Sequence, residues 1–434
     1  MNIAVKPLAV ALIAVLCGAV VAHAQGLPVA SPEAVGMSQE RLQRIGSALG
    51  AEVDAGRIAG AVVLVARRGK LVYAESLGWQ DKAAGVRMTP DAIFRIYSMT
   101  KPLVSVAAMM LVEEGKLQLT DPVTKFLPTL KPPGVSVAQA DAEFARLTYT
   151  TVPAVREMTV QDLLRHTAGL GYAEITQNAP VKKALQDAGI AKTDDARALT
   201  PAEQVERLAK VPLTHQPGTA WEYSLASDVL GRVVEAASGQ RLADFLARRL
   251  FGPLGMADTA FWVPPAKIGR LAQPLPTDPA GGATLELIDV SAPPAADSGG
   301  AGGVSTAADY LRFAQALLDG GRLGGTRILS RTTVALMTSD HLGTRIAAPV
   351  TPGELLLGTP GYTFGLGFAV RQAPGVAGVH GSQGEFMWGG YAGTYFWVDP
   401  KEQLVGVYMS QMTGATRPFY RRLVKNLVYQ AIDD

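Results

Sequence analysis

The chain has 434 residues, of which 48% are hydrophobic and 18% are charged, and its formal net charge is only +2. This composition is typical of a globular protein with a sizeable core, and it excludes collagen-like and low-complexity chains. No block rich in lysine or arginine stands out, so the sequence does not suggest nucleic-acid binding.

The first 24 residues have the three parts of a secretory signal peptide. Lys6 supplies a positive charge, residues 7–21 are apolar, and residues 22–24 read Ala-His-Ala, which resembles a cleavage site. The apolar stretch is short for a membrane span. The only cysteine, Cys17, lies in this segment. We therefore expect a periplasmic or secreted protein of a bacterium, without disulfides or a thiol nucleophile, and without membrane attachment after signal cleavage.

A β-hairpin and then a buried helix are the first elements that the sequence predicts. Residues 61–66 and 70–74 are apolar strands on either side of a tight glycine turn. Residues 103–112 are apolar and end at a glycine-containing stop, which indicates a helix that begins near Ser98. At a helix N-terminus free amide groups point outward and the helix dipole favours negative charge.

Helices dominate the middle of the chain, and strands return near its end. Helices are predicted at 159–165, 201–210, 227–237, 242–251, 306–318 and 418–432. Strands are predicted at 362–371, 386–388, 394–398 and 404–409. The fold class is therefore α/β of the α+β type: an antiparallel sheet built from the N- and C-terminal segments and flanked by helices, with a mostly helical domain inserted. The α/β part is expected at about 25–120 and 305–434, and the helical part at about 121–304.

The segment Ser98-Met99-Thr100-Lys101 places a hydroxyl and an amine three residues apart. On a helix these two positions share one face, so their side chains can meet. A serine hydroxyl needs a base before it acts as a nucleophile, and a neutral lysine can be that base. The alternative is a helix-capping serine beside a solvated lysine.

Two later segments carry further candidate groups. Tyr223 lies at a predicted corner between a loop and a helix, where its phenol can accept or relay the Ser98 proton; a packed tyrosine bonded to the backbone is the alternative. Residues 388–394 read Trp-Gly-Gly-Tyr-Ala-Gly-Thr and lie in a predicted strand, and glycines weaken a strand unless something approaches its backbone closely. An acyl group bound at an oxyanion hole would do so. A bulge or a sheet–helix contact is the alternative.

The sequence offers no recognisable metal or nucleotide motif. It has no His-Glu-x-x-His pattern, no Gly-x-Ser-x-Gly nucleophile elbow, and its glycine run at 299–303 lacks the Lys-Ser/Thr of a phosphate-binding loop. We therefore expect neither a metal nor a cofactor.

Taken in order, residues 98–101, residues 223–225 (Tyr-Ser-Leu) and residues 388–390 resemble the motifs of the serine β-lactamase and penicillin-binding-protein superfamily. The resemblance covers nearly all of residues 25–434, and it is greatest to class C-like enzymes, particularly family VIII carboxylesterases. It implies one serine hydrolase domain of β-lactamase-like fold.

Matching positions give the roles that this resemblance implies. Ser98 would be the acylated nucleophile, and Lys101 and Tyr223 would share the general-base and general-acid work, with the order of proton transfer left open. The backbone N–H groups of Ser98 and Tyr391 would form the oxyanion hole. The residues bordering the substrate would be Trp388, Gly389, Gly390 and Leu225.

Two positions depart from the β-lactamase pattern. Leu225 stands where β-lactamases usually carry asparagine, and Trp388 where they usually carry lysine or another polar residue. Both changes remove groups that bind a β-lactam and make the site more apolar, as in the family VIII esterases.

We therefore expect a carboxylesterase that cleaves small to medium esters through an acyl-enzyme on Ser98. Weak β-lactamase activity is compatible with this reading. The alternatives are a class C-like β-lactamase or D-alanyl peptidase, an acyltransferase of the same architecture, and a non-catalytic ligand-binding or sensing protein on the same scaffold.

Overall fold

The computed structural model describes residues 26–141 and 146–434. The predicted signal peptide at residues 1–24 lies outside the described residues. Within these two ranges, none of the helices combines the length and the apolar character needed to cross a bilayer.

One large antiparallel sheet contains strands from both ends of the chain. The strands are β1 Gly60–Arg67, β2 Lys70–Asp81, β3 Val86–Arg87, β4 Phe94–Arg95, β5 Val135–Asp141, β6 Arg146–Val152, β7 Val304–Ser305, β8 Arg322–Leu323, β9 Thr326–Arg327, β10 Tyr362–Phe364, β11 Ala369–Arg371, β12 Phe386–Gly389, β13 Tyr395–Asp399 and β14 Leu404–Ser410. The large sheet has the order β10-β11-β12-β13-β14-β1-β2-β3. Its β1–β14 pairing, with Val63 opposite Tyr408, joins the N-terminal strands to the C-terminal ones.

Helices flank this sheet and fill the middle of the chain. The α-helices are α1 Gln39–Asp54, α2 Thr100–Glu113, α3 Val160–Leu164, α4 Ala179–Asp187, α5 Thr193–Ala198, α6 Pro201–Leu208, α7 Ala226–Ser238, α8 Leu242–Leu246, α9 Gly252–Leu254, α10 Ala307–Leu318, α11 Arg331–Met337, α12 Pro352–Leu357 and α13 Arg417–Tyr429. Helix α10 packs on β13, β14 and β1, while α1 and α13 pack on each other and on the sheet. The predicted fold class is confirmed.

Helix α2 is the central helix of the core. Every residue from Thr100 to Leu111 is buried, and the helix packs against α7 and α8. A 3-10 turn, Tyr97–Met99, leads into it and also contacts β12 of the large sheet. Ser98 therefore lies between the sheet and the buried helix, in the turn that directly precedes α2.

Several elements differ from the sequence prediction. The predicted strand 362–371 is two short strands, β10 and β11, and the predicted helix 242–251 continues from α8 as a π-helix at Ala247–Phe251. The hairpin β5–β6 lies in the region predicted to be mostly helical. The boundaries near 120 and 304 stay a prediction; β4 and β7 pair with each other close to them.

Candidate active site

A strained turn presents Ser98. Tyr97 has a φ of 42°, a left-handed conformation that a bulky residue rarely adopts. Neighbouring groups hold it there: the Thr100 hydroxyl donates to the Tyr97 carbonyl oxygen at 2.6 Å, and the Ile288 N–H donates to the Tyr97 hydroxyl at 2.8 Å. Met99, not Ser98, caps α2, so the alternative of a helix-capping serine does not hold.

The structure brings together the side chains of Ser98, Lys101 and Tyr223. The Tyr223 hydroxyl donates to Ser98 Oγ at 2.6 Å, and Lys101 Nζ lies 3.4 Å from the same oxygen. Lys101 Nζ also lies 4.5 Å from the centre of the Tyr223 ring, where a positive charge is attracted to the π-system. A nucleophile and two proton carriers thus meet within hydrogen-bond reach.

Lys101 is buried and faces neutral acceptors. Its side chain donates to the Gly300 carbonyl at 2.7 Å and to the Tyr172 hydroxyl at 3.1 Å. Burial, followed by the nearby Asp228 carboxylate, raises the pKa of Tyr172 far above its usual value, so this phenol stays neutral. Sequence reasoning missed Tyr172. It follows the Leu-Arg-His-Thr-Ala-Gly segment at 164–169 by only a few residues, but that segment carries no pattern that points to Lys101.

A carboxylate fixes the loop that supplies the Gly300 carbonyl. Asp228 Oδ1, in the first turn of α7, accepts from the Ser298 hydroxyl at 2.6 Å and from the Gly300 N–H at 3.1 Å. A side chain at position 300 would collide with this carboxylate. Asp228 therefore acts on Lys101 through the loop, by positioning one of the lysine's acceptors.

A neutral histidine packs behind the Tyr223 ring. The centres of the His166 and Tyr223 rings are 5.1 Å apart, and His166 Nδ1 lies 3.2 Å from the Ser224 hydroxyl. Burial, followed by the positive charge of Lys101, lowers the pKa of His166 well below its usual value. His166 therefore packs as an uncharged ring at neutral pH.

The segment with the second oxyanion candidate is a turn, where the sequence predicted a strand. Strand β12 ends at Gly389, and residues 390–394 turn back into β13, closed by a 2.8 Å hydrogen bond from the Gly390 N–H to the Thr394 carbonyl. Ser98 and Tyr391 both line one cavity. In the ranges that the structure covers, neither backbone N–H donates to a protein acceptor. Such free amides are what an oxyanion hole requires.

The protein itself approaches the two glycines of the Trp-Gly-Gly segment. A Cβ on Gly390 would collide with the Ile96 carbonyl and the Thr394 hydroxyl, and a Cβ on Gly389 would lie 2.8 Å from the guanidinium carbon of Arg421. The sequence left two explanations open for this close approach, a bound acyl group and a bulge or sheet–helix contact. The contact at Gly389 is the second of these, a contact between the sheet and α13.

Trp388 and Leu225 do not lie where sequence reasoning expected them. Trp388 is fully buried, with its ring centre 5.4 Å from that of Tyr223 and 5.3 Å from that of Phe364. It packs against the Tyr223 ring without lining the cavity that contains Ser98. Leu225 borders a separate small cavity between α6 and α7. Neither residue is among the described residues lining the cavity that contains Ser98.

Two cavities of similar size adjoin Tyr223. The first has a volume of about 240 Å³ and is lined by Tyr97, Ser98, Tyr172, Glu174, Ile175, Lys192, Thr193, Tyr223, Glu286, Ile288, Ala301 and Tyr391. The second, of about 250 Å³, is bordered by more apolar groups, among them Trp221, Val350 and Leu355. Tyr223 and Ile175 border both. In the described ranges, no cluster of His, Cys, Asp and Glu side chains is arranged to hold a metal.

A serine bonded to both a tyrosine and a lysine, ahead of a buried helix and beside an antiparallel sheet, defines a serine hydrolase of the β-lactamase and penicillin-binding-protein class. The model of the Beta-lactamase family matches residues 45–429, and the chain belongs to this family. The resemblance inferred from the motifs is confirmed.

Its relatives include esterases. Protein Rv1367c of Mycobacterium tuberculosis is 37% identical over 366 residues, which cover 82% of this chain and 87% of that protein. Esterase EstB of Burkholderia gladioli is 34% identical over 359 residues, which cover 79% of this chain and 83% of EstB. Among solved structures, EstCE1, described as a hydrolase with promiscuous acyltransferase activity, matches with a TM-score of 0.72 and 29% identity, covering 90% of this chain and 98% of its own. The protein is a serine hydrolase.

Proposed function

We propose that this protein is a carboxylesterase that cleaves small to medium esters through an acyl-enzyme on Ser98. The observation that carries the proposal is the 2.6 Å hydrogen bond from Tyr223 to Ser98 Oγ, with Lys101 Nζ 3.4 Å from the same oxygen. The printed names of EstB and EstCE1, an esterase and a hydrolase, support the same chemistry.

The reaction runs in two halves that share one set of groups. Ser98 Oγ attacks the ester carbonyl while its proton passes to Lys101 or Tyr223, and the negative oxygen is stabilised by the N–H groups of Ser98 and Tyr391. The bond to the alcohol oxygen then breaks, and that oxygen takes the proton. Water attacks the acyl-enzyme in the same way, its proton returns through the pair, and the acid leaves Ser98 with its hydroxyl restored.

The surroundings of Tyr223 leave room for a small to medium substrate. Ser98 lines the cavity of about 240 Å³, and Tyr223 also borders the more apolar cavity of about 250 Å³. These volumes suit small to medium acyl and alcohol groups.

A second candidate activity is acyl transfer to an alcohol. The description of EstCE1 as a hydrolase with promiscuous acyltransferase activity favours it. It needs only an alcohol in place of water in the second half of the reaction.

Replacement of the nucleophile tests the main proposal. Ser98→Ala should lower kcat/KM for p-nitrophenyl butyrate to the background rate, and a fluorophosphonate probe should add to Ser98 in the wild-type protein, as read by peptide mass spectrometry. A variant that keeps the wild-type rate would refute the assignment. A preparation that hydrolyses nitrocefin much faster than the butyrate ester would favour the β-lactamase alternative, and absence of labelling and turnover would favour the non-catalytic binding protein.

Export is part of the proposal and has a separate test. The segment at residues 1–24 should be absent from protein recovered from the periplasm or the medium, so that N-terminal sequencing begins at Gln25. A start at Met1 in all of the recovered protein would contradict cleavage.

A further inference from the structure

We propose that Arg421 is a positioning residue for the oxyanion hole: it holds the peptide group between Gly390 and Tyr391 so that the Tyr391 N–H faces Ser98. This inference rests on the proposed function, because it gives the Tyr391 amide a role only if a tetrahedral oxyanion forms at Ser98. Nothing in the sequence motifs points to Arg421, which lies about thirty residues beyond the Trp-Gly-Gly segment.

Arg421 reaches the turn from helix α13. Its side chain is buried, with a relative exposure of 3%. Nη2 donates to the Gly390 carbonyl at 2.6 Å and to the Thr394 carbonyl at 3.5 Å, and Nη1 donates to the Leu356 carbonyl at the end of α12 at 3.0 Å. One planar guanidinium therefore ties both ends of the 390–394 turn to a neighbouring helix.

Because the peptide group is planar, the hydrogen bond from Arg421 to the Gly390 carbonyl also fixes the direction of the Tyr391 N–H. The described chain contains no cis peptide bonds, and in a trans peptide the C=O and the next N–H point in opposite directions. The Gly390 carbonyl points toward Arg421, so the Tyr391 N–H points away from α13. The turn's other side faces the segment that carries Ser98, because the Thr394 hydroxyl donates to the Ile96 carbonyl at 3.3 Å.

A second arginine holds the next peptide group. Arg417, one helical turn before Arg421, donates from Nη1 to the Tyr391 carbonyl at 3.0 Å, and its guanidinium lies 4.7 Å from the centre of the Tyr391 ring. Successive carbonyls of the turn, those of Gly390 and Tyr391, are thus each held by an arginine of α13.

Arg421 is a buried cation without an acidic partner in the described ranges, which is unusual in a protein. None of the ion pairs among the described residues includes Arg421. Burial, followed by the charge of Arg417, lowers the pKa of Arg421 to about 9, so the side chain still carries its charge at pH 7. Burying such a charge is expensive, and here carbonyl oxygens and the Tyr395 ring, whose centre lies 5.9 Å from the guanidinium carbon, compensate it.

Gly389 makes room for this guanidinium. A Cβ at this position would lie 2.8 Å from the guanidinium carbon of Arg421, closer than real Cβ contacts come. The backbone of Gly389 does not need a positive φ, so the collision is the main obstacle to a side chain there. The first glycine of the Trp-Gly-Gly segment is thus explained by Arg421.

The test compares Arg421→Lys with Arg422→Lys. Arg422 is a matched control, because its Nη1 also donates to a carbonyl of α12, that of Leu357 at 2.6 Å, and it is bonded to no residue of the turn. Loss of one oxyanion donor lowers kcat by about 10²–10³-fold, and a misaligned donor should lower it by about 10- to 100-fold. We expect this fall for Arg421→Lys with p-nitrophenyl butyrate, with KM nearly unchanged, and less than about twofold for Arg422→Lys.

Binding of a transition-state mimic separates positioning of the oxyanion hole from a general structural role of Arg421, because only the former should change the inhibition constant. A trifluoromethyl ketone that adds to Ser98 places an oxyanion in the hole, so its inhibition constant should rise in Arg421→Lys by the same factor as kcat/KM falls. Equal losses in the two lysine variants, a change in KM alone, or wild-type kcat in Arg421→Lys would overturn the inference.

Gly389→Ala keeps the inference testable if Arg421→Lys does not fold. The new methyl group displaces the guanidinium while leaving the arginine in the chain, so kcat should again fall by about 10- to 100-fold. Wild-type kcat in Gly389→Ala would overturn the role of Arg421. Ser98→Ala, measured alongside, separates the two proposals: if it retains full activity, the proposed function fails, whereas if it is inactive while Arg421→Lys is fully active, only the role of Arg421 fails.

Discussion

Two of the lysines that the structure describes are almost completely buried, and they differ in what they face. Lys101 is 1% exposed and Lys425 is 0% exposed. Lys425 forms an ion pair with the Glu385 carboxylate, which is itself fully buried. Lys101 instead donates to the Gly300 carbonyl and to hydroxyl groups of Tyr172 and Ser98. One ammonium is bound to an anion, the other to neutral acceptors.

The pair at Lys425 belongs to a closed network between α13 and the sheet. Glu385 also accepts from the Tyr362 hydroxyl at 3.0 Å and from the Tyr429 hydroxyl at 3.2 Å. Burial raises the pKa of Glu385 and lowers that of Lys425, while each partner's charge opposes the shift of the other. A proton leaving Lys425 would strand a buried carboxylate, whereas a proton leaving Lys101 strands none. The ion pair of Lys425 therefore stabilises the fold, whereas the neutral surroundings of Lys101 allow it to transfer a proton.

The largest expected effect is on activity, from Lys101→Met. Removing a general acid–base group lowers kcat/KM by about 10²–10⁴-fold. The free energy of unfolding should fall by no more than about 2 kcal/mol, because the groups left behind are neutral acceptors. Ester hydrolysis and urea unfolding on one preparation check both. If Lys101→Met were severely destabilised but still hydrolysed the ester at the wild-type rate, Lys101 would be a structural lysine like Lys425.

Lys425→Met should show the opposite pattern. Removal of one partner of a buried ion pair costs about 3–5 kcal/mol, because Glu385 is left uncompensated. We expect this loss in urea unfolding, with kcat of the folded fraction close to that of the wild type. The double variant Lys425→Met/Glu385→Gln should recover part of the stability. A loss of kcat without destabilisation would place Lys425 in the chemistry.

Local patterns in the sequence predicted the groups that lie close together along the chain. The i, i+3 spacing predicts that Ser98 and Lys101 meet, and apolar runs predict β1, α7 and α10 to within a few residues, whereas β2 continues seven residues beyond its predicted end. Among the partners contributed by distant segments, Tyr223 and Tyr391 were predicted from the family resemblance, whereas Tyr172 and Arg421 were not. Tyr172 and Arg421 reach their partners through tertiary packing, which leaves no local period in the sequence, and the turn at 390–394 depends on Arg421 and Ile96 rather than on strand propensity.

A smaller effect is expected at the Asp162 carboxylate. Like Lys425, this buried charged group stabilises the fold and takes no part in the proposed chemistry. Its side chain is 0% exposed and pairs with Arg156 and Arg165. Burial opposes its ionisation, but hydrogen bonds from Arg156, Thr159 and Thr167 lower the pKa of Asp162 to about 2. Because this folded-state pKa is below the unfolded value near 4, the carboxylate stabilises the fold by about 2 kcal/mol above pH 4, and this contribution is lost as pH falls through 2.

Asp162→Asn removes this pH dependence. In urea unfolding the wild type should lose about 1 kcal/mol between pH 5.5 and 3 through this group alone, and the variant should lose correspondingly less. The kinetic constants of the folded variant should change little at pH 7. An identical pH dependence in both proteins would show that Asp162 does not set it.

The smallest expected effect on activity comes from the hydrogen bond between Lys101 and the neutral hydroxyl of Tyr172, a kind of contact that Lys425 lacks with its carboxylate partner. Tyr172→Phe removes the hydroxyl that lies 3.1 Å from Lys101 Nζ and leaves the ring in place. One net hydrogen bond is worth about 0.5–1.5 kcal/mol, so kcat/KM should fall by about 2- to 10-fold while the melting temperature changes little.

Tyr362→Phe is the matched control for Tyr172→Phe, because it removes a buried phenol hydroxyl from the cluster around Lys425, where that hydroxyl donates to Glu385. There the lost bond is to a carboxylate, so we expect about 1.5–3 kcal/mol of destabilisation and an unchanged kcat/KM. If both variants lose stability and neither loses activity, the neutral acceptors around Lys101 do not contribute to proton transfer, and the two buried lysines differ only in their packing.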